Sequence, residues 1–157
     1  MKIAIGSTKA GLTGKDELVT FLEGLDYEVD DLGMKVDGPF VPYYESASAV
    51  ALAVSRGEYE KAIIVCGTGA GSVIIANKFK NVYAVYAGSE YEASRAKIIN
   101  DANVLCLGEW LTPPQHAKEI VKAWLDAEFC QSFEPQWQDF LRGGVEAVKK
   151  IESQNLK

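Results

Sequence analysis

Ile63-Ile64-Val65-Cys66-Gly67-Thr68-Gly69-Ala70-Gly71-Ser72 is the stretch on which the reading of this chain turns. An apolar run leads into a cysteine, glycines follow at alternate positions, and a helix-compatible pattern begins at Ser72. That is how a buried strand of a parallel sheet reads at its carboxyl end, where such sheets place their active sites. Glycines there let the backbone approach a ligand, and free N–H groups at the following helix start can hold a phosphate or a developing oxyanion. Two well-known loops are excluded. A dinucleotide fingerprint needs its third glycine at position 72, where Ser72 stands, and no Gly-Lys-Ser/Thr closes the segment as in a phosphate loop. The alternative is that the glycines only permit tight strand-to-helix packing. Cys66 taken alone also fits two roles: a small buried hydrophobe, or a thiol whose thiolate the adjacent amides favour as base or nucleophile.

Outward from this loop, short apolar runs alternate with amphipathic stretches as far as Glu128. Strands are expected at Lys2 to Gly6, Tyr27 to Leu32, Lys61 to Cys66, Val82 to Tyr86 and Asn103 to Leu107. Helices are expected at Asp16 to Leu25, Tyr44 to Arg56, Ser72 to Phe79, Glu90 to Ile99 and Pro114 to Glu128. Gly24 and Gly57 sit near two helix ends, and Pro114 suits a first turn. The fold class is α/β, a Rossmann-like three-layer sandwich on a five-stranded parallel sheet, with the acidic second strand at an edge and the others buried on both faces. Trp137, Phe140, Leu141, Val145, Val148 and Ile151 then fall at helical intervals, so residues 133–157 should form a terminal helix with one apolar face. With every strand already covered, that face suits a partner subunit and predicts a homodimer or a dimer of dimers.

Composition removes several classes of function. The 157 residues suit a single domain, and no apolar run approaches the roughly 20 residues that span a bilayer. The start, MKIAIGSTKAG, lacks a signal peptide's apolar core, so a cytoplasmic protein is expected. A net charge of -6 is opposite in sign to the basic field of nucleic-acid binders. The 3 cysteines have no paired spacing, and the 1 histidine, His116, leaves a serine–histidine relay or a multi-histidine metal centre nothing else to build on. Neither a cofactor nor a metal is expected.

Four segments in order then carry a specific resemblance: Met1-Lys-Ile-Ala-Ile-Gly-Ser7, Cys66-Gly-Thr-Gly-Ala-Gly71, Ala76-Asn-Lys78 and Asn100-Asp-Ala-Asn-Val-Leu-Cys-Leu-Gly108, with Ala123-Trp-Leu125 trailing. The chain resembles the ribose-5-phosphate isomerase type B and galactose-6-phosphate isomerase family over roughly residues 1 to 130. The resemblance implies a metal-independent aldose–ketose isomerase acting on a small sugar phosphate through a cis-enediolate, in a site shared across a dimer. It matches Cys66 to the family's proton-transferring cysteine and the amides of Gly67, Gly69 and Gly71 to its anion hole. It matches Thr68 to a threonine that can assist proton movement, and Asn100 to an asparagine on substrate hydroxyls. Ser7, Thr8 and Lys9, after the first strand, complete the expected binding residues.

The departures narrow the substrate. Thr8-Lys9 stands where ribose-type members carry Asp-His, and galactose-type members are similar to this chain in having a lysine there; Lys9 is expected to bind a hydroxyl or phosphate. Ile99 replaces the family's ring-opening histidine, and an isoleucine cannot transfer a proton. His116 suits a solvent-facing or capping role. An already open-chain substrate such as a tetrulose phosphate follows, beside pentose and hexose phosphates. The family's terminal arginine-rich segment is also missing, leaving Arg142 as the candidate phosphate ligand, with Arg95 and Lys97 as others. Trp137 reads as interface packing, and Val41 replaces a tyrosine that contacts substrate in the family, making the pocket more apolar there. The competing reading is a sugar-phosphate binding or regulatory module that kept the anion cradle; a third is a lyase or epimerase using the same enediolate. The pairing of Cys66 with Thr68 favours catalysis, since a binder needs the amides and not the thiol.

Overall fold

The computed structural model describes residues 1–156. Their strands are β1 (Lys2–Ser7), β2 (Glu28–Asp31), β3 (Lys61–Cys66), β4 (Ala84–Tyr86) and β5 (Val104–Gly108), and their helices are α1 (Leu12–Glu23), α2 (Tyr43–Ser55), α3 (Ala70–Ala76), α4 (Glu90–Asn100), α5 (Pro114–Asp126) and α6 (Pro135–Asn155). All pairings are parallel, in the order β2-β1-β3-β5-β4. None of the described helices is long and apolar enough to cross a membrane.

Alternation of side chains along the strands makes two cores. Ile3, Ile5, Ile63, Val65, Leu105 and Leu107 pack under α1, α4 and α5, where Trp124 is fully buried. Ala4, Ala62, Ile64, Val104 and Cys106 pack under α2 and α3. Strands buried on both sides need apolar residues at every position, which explains the unbroken runs Ala62–Val65 and Val104–Leu107.

The acidic β2 is an edge, as its composition predicts, but β4 is the other edge and is shorter than its apolar run suggests. Asn81 turns the chain at φ 63°, and the Tyr83 N–H donates to the Asn103 side-chain oxygen at 2.7 Å instead of to a strand. Helix α1 starts before Asp16 because a remote carboxylate caps it: Glu109 Oε2 accepts from the Gly14 N–H at 2.7 Å. Helix α6 packs on α4 yet buries none of its residues, and Trp137, Phe140, Val148 and Ile151 are exposed.

The connection from β1 leads to β2 on one side, while β3 lies on the other side of β1. The loops leaving β1 and β3 therefore part in opposite directions, and the sheet opens a crevice between their carboxyl ends. Thr8 and Cys66 stand on its two sides.

Candidate active site

Cys66 ends β3 with 6% of its surface exposed, and its Sγ accepts a hydrogen bond from the Gly69 N–H at 3.0 Å. Gly69 reaches that position with φ +82°, the left-handed conformation glycine adopts without penalty. The loop is fastened from the β5 side: the N–H of Glu109 donates to the Cys66 carbonyl at 2.9 Å, and that of Trp110 to the Gly67 carbonyl at 3.0 Å. A Cβ on Gly108 would lie 2.7 Å from the Thr68 carbonyl carbon, so β5 needs its glycine for the loop to lie against it.

Above the thiol is an open cavity of about 250 Å³. Its floor and rear are Cys66, Gly67, Thr68 and Gly71; Thr8 and Ala10 come from the turn after β1, and Tyr43 and Trp110 form its walls. No lysine, arginine, histidine or carboxylate is among these lining residues. Of the side chains present, Cys66 carries the one thiol and Tyr43 the one phenol. Cys106, on the same side of the neighbouring strand, is held neutral, since burial and the nearby Cys66 push its thiol far above the ordinary range. One thiol is thus inert and the other opens onto the crevice.

The sequence-derived candidates divide by position. Thr8, Cys66, Gly67, Thr68 and Gly71 line the cavity, and Gly69, which does not, bonds Cys66 through its amide. The Thr8 hydroxyl donates to the Val41 carbonyl at 2.7 Å, so this side chain secures the loop before α2. Ser7 is fully buried and does not line the cavity, and Lys9 is exposed on a short 3-10 turn, Lys9–Gly11. Asn100 does not join this cavity within one chain: it ends α4 and lines a separate groove of about 320 Å³ with Ile99, Tyr83, Phe140 and Leu141. Arg142 stands apart as well, exposed on α6 with Nη2 donating to Gln138 at 3.2 Å. The other basic candidates are engaged: Arg95 lies over the Phe133 ring at 5.3 Å, and Lys97 pairs with Asp101. His116 bonds Glu90 at 2.8 Å between α5 and α4, outside the crevice. Glu119 brings a third ligand atom within 4.8 Å there, but these groups do not line the Cys66 cavity.

Two wall residues were not singled out from sequence. Tyr43 and Trp110 resemble ordinary apolar residues flanking helices. The signal that finds Trp110 is its place two residues after the fifth strand, at the end of the sheet where ligands bind.

The family described as Ribose/Galactose Isomerase matches residues 3–137. The chain belongs to that family. It is 39% identical over 152 residues to the 4-deoxy-4-sulfo-D-erythrose isomerase of Clostridium sp. (strain MSTE9), covering 97% of this chain and 96% of that protein. It is 40% identical over 131 residues to the D-erythrulose-4-phosphate isomerase 2 of Mycolicibacterium smegmatis, covering 82% and 86%. In three dimensions it is similar to the ribose-5-phosphate isomerase B of Clostridium thermocellum, with a TM-score of 0.88 and 37% identity over 98% of this chain and 99% of that one. These three relatives are named isomerases, and the fold is shared with the Clostridium thermocellum enzyme.

Proposed function

We propose that this protein is an aldose–ketose isomerase for a small, open-chain, anionic sugar, of four carbons in preference to five or six. The observation that carries the proposal is the Cys66 thiol at the base of the crevice, held by the Gly69 amide and facing the cavity at the glycine loop. In this reaction the Cys66 thiolate removes the proton from the carbon next to the substrate carbonyl. The electron pair of that C–H bond forms the C=C bond of an enediolate, and the carbonyl oxygen takes the negative charge. Backbone N–H groups of the Gly67–Gly71 loop stabilise that oxygen, an effect worth about 3 kcal/mol per well-placed donor. Thr68 relays a proton between the two substrate oxygens, and the Cys66 thiol returns its proton to the neighbouring carbon. Base, charge stabilisation and relay are all supplied by the chain, so the proposed chemistry calls for no metal.

Four carbons are favoured by a chemical argument. A four-carbon sugar bearing its anion at the terminal carbon has no free hydroxyl with which to close a five-membered ring. It needs no ring opening, and Ile99 cannot provide any. The names of two relatives, a sulfo-erythrose and an erythrulose-4-phosphate isomerase, agree with this size. The anion itself is then a phosphate or a sulfonate.

A second copy of the chain completes the site in this account. It would cover the exposed apolar residues of α6 and bring Asn100 and Arg142 of one copy toward the Cys66 crevice of the other, which neither reaches within its own chain. The test is product analysis by proton NMR with four-, five- and six-carbon aldose and ketose phosphates and a four-carbon sulfonate. Isomerisation of a four-carbon member supports the proposal. Binding without turnover of any sugar favours the regulatory module, and a product that is not the isomer favours the lyase or epimerase.

A further inference from the structure

Proton transfer by Cys66 and charge stabilisation by the loop leave two aromatic side chains without a role. Tyr43 and Trp110 line the cavity and face the glycine loop at its two ends. A Cβ on Gly67 would lie 2.9 Å from Cδ2, Cε3 and Cζ3 of Trp110 alike, so the indole rests face-on against Gly67. A Cβ on Gly71 would lie 2.8 Å from Tyr43 Cε2 and 3.0 Å from its Cδ2. The two rings occupy the space that side chains at positions 67 and 71 would otherwise fill.

Both rings are anchored by their backbones. The Trp110 N–H donates to Gly67, and Tyr43 is the first residue of α2, in edge contact with Tyr44 at 5.5 Å between centroids. Yet Trp110 is 72% exposed and Tyr43 46%, so each has its inner surface on the loop and much of the rest in solvent, the position of a lip. Rigid aromatic surfaces lose little conformational freedom when a ligand packs on them, so they discriminate by shape at low cost. With no cationic side chain among the lining residues, shape is the discriminating property this cavity offers within one chain.

We infer that Trp110 and Tyr43 are specificity-determining residues, walling the loop at Gly67 and Gly71 so that it admits an extended four-carbon sugar anion and rejects the closed ring of a longer sugar. This rests on the aldose–ketose reading above. Neither residue takes part in proton transfer; each sets which substrate reaches Cys66.

The experiment compares kcat/KM for D-erythrulose 4-phosphate and D-ribose 5-phosphate in the wild type, Trp110→Ala and Tyr43→Ala, with Trp110→Phe and Tyr43→Phe alongside. The expected result is a wild-type preference for the four-carbon sugar that falls at least tenfold in each alanine variant, mainly through a lower KM for the larger sugar. The phenylalanine variants retain most of the preference. A preference ratio within twofold of wild type in both alanine variants overturns the inference. Where circular dichroism shows an alanine variant unfolded, the leucine variant at that position decides by the same ratio. If the wild type turns over neither sugar, the isomerase reading fails separately, and calorimetric binding of the same two phosphates decides this one. A four-carbon preference lost in the alanine or leucine variants supports it, and equal binding of both sugars by the wild type overturns it.

Discussion

The Glu109 carboxylate accepts a hydrogen bond from the Gly14 N–H at 2.7 Å, across 95 residues of chain. Gly14 is in the first turn of α1, whose N-cap, Gly11, has no side chain to satisfy the free amides there. Glu109 therefore caps α1 from the far end of β5, between Gly108, which lies against Thr68, and Trp110, which lies against Gly67. One carboxylate thus ties the turn after β1 to the loop that holds Cys66. Glu109→Ala is expected to lower stability by about 1–2 kcal/mol, the usual loss of a cap. Urea denaturation measures it, and Glu109→Gln should recover part of the loss.

Gly69 has a stricter requirement. At φ +82° a side chain is strained, and a Cβ would sit 2.7 Å from the Tyr86 ring. Gly69→Ala is expected to displace the amide that bonds Cys66, with a fall in kcat of roughly tenfold or more as the thiolate loses its hydrogen-bond donor. Stopped-time assays alongside a urea titration separate this from simple unfolding.

Acid should weaken the protein through Asp31. Burial pushes this carboxyl up, but hydrogen bonds from Lys15, Lys35 and the Gly33 N–H together outweigh it and hold its pKa below the usual carboxylate range. Lys15 is itself fully buried and lies 2.6 Å from Asp31. Because the folded pKa is the lower one, the stabilisation is fully present above the unfolded value of about 3.9. It is lost as pH falls through the depressed folded value. Asp31→Asn should cost about 1–3 kcal/mol at neutral pH by leaving the buried Lys15 with Asp16, at 3.1 Å, as its remaining carboxylate, and should flatten the acid limb of a stability–pH curve measured by thermal denaturation.

The apolar face of α6 predicts assembly. Wild-type protein is expected to sediment as a dimer or a dimer of dimers, and Phe140→Asp with Val148→Asp to sediment as a monomer with its helix content kept. Loss of turnover in that monomer, with Cys66 untouched, is the expected consequence of a site completed by a second copy. Analytical ultracentrifugation and circular dichroism check both.

The strand order was not readable from the chain, but the strands themselves were, because burial on two faces demands unbroken apolar runs such as Ala62–Val65. The Cys66 loop was legible for the same reason: a run of that kind ending in glycines marks a strand's carboxyl end. The start of α1 was not, since its cap is Glu109, and no local pattern records a partner 95 residues away. Tyr43 and Trp110 were hidden because an aromatic residue beside a helix has the same appearance in sequence whether it fills a core or lines a cavity. Asn100 and Arg142 show the opposite limit. Family likeness names Asn100 and the missing arginine segment leaves Arg142, but in one chain neither lies on the crevice.

Everything in the proposed reaction depends on the Cys66 thiol moving the substrate proton. The most direct measurement is deuterium uptake from D₂O into a four-carbon ketose phosphate, followed by proton NMR for the wild type and Cys66→Ala. Deuterium is expected at the carbon next to the carbonyl with wild type, and a rate reduced by about 10²–10⁴-fold in Cys66→Ala with ligand binding intact. Uptake at the wild-type rate in Cys66→Ala would contradict this role of the thiol.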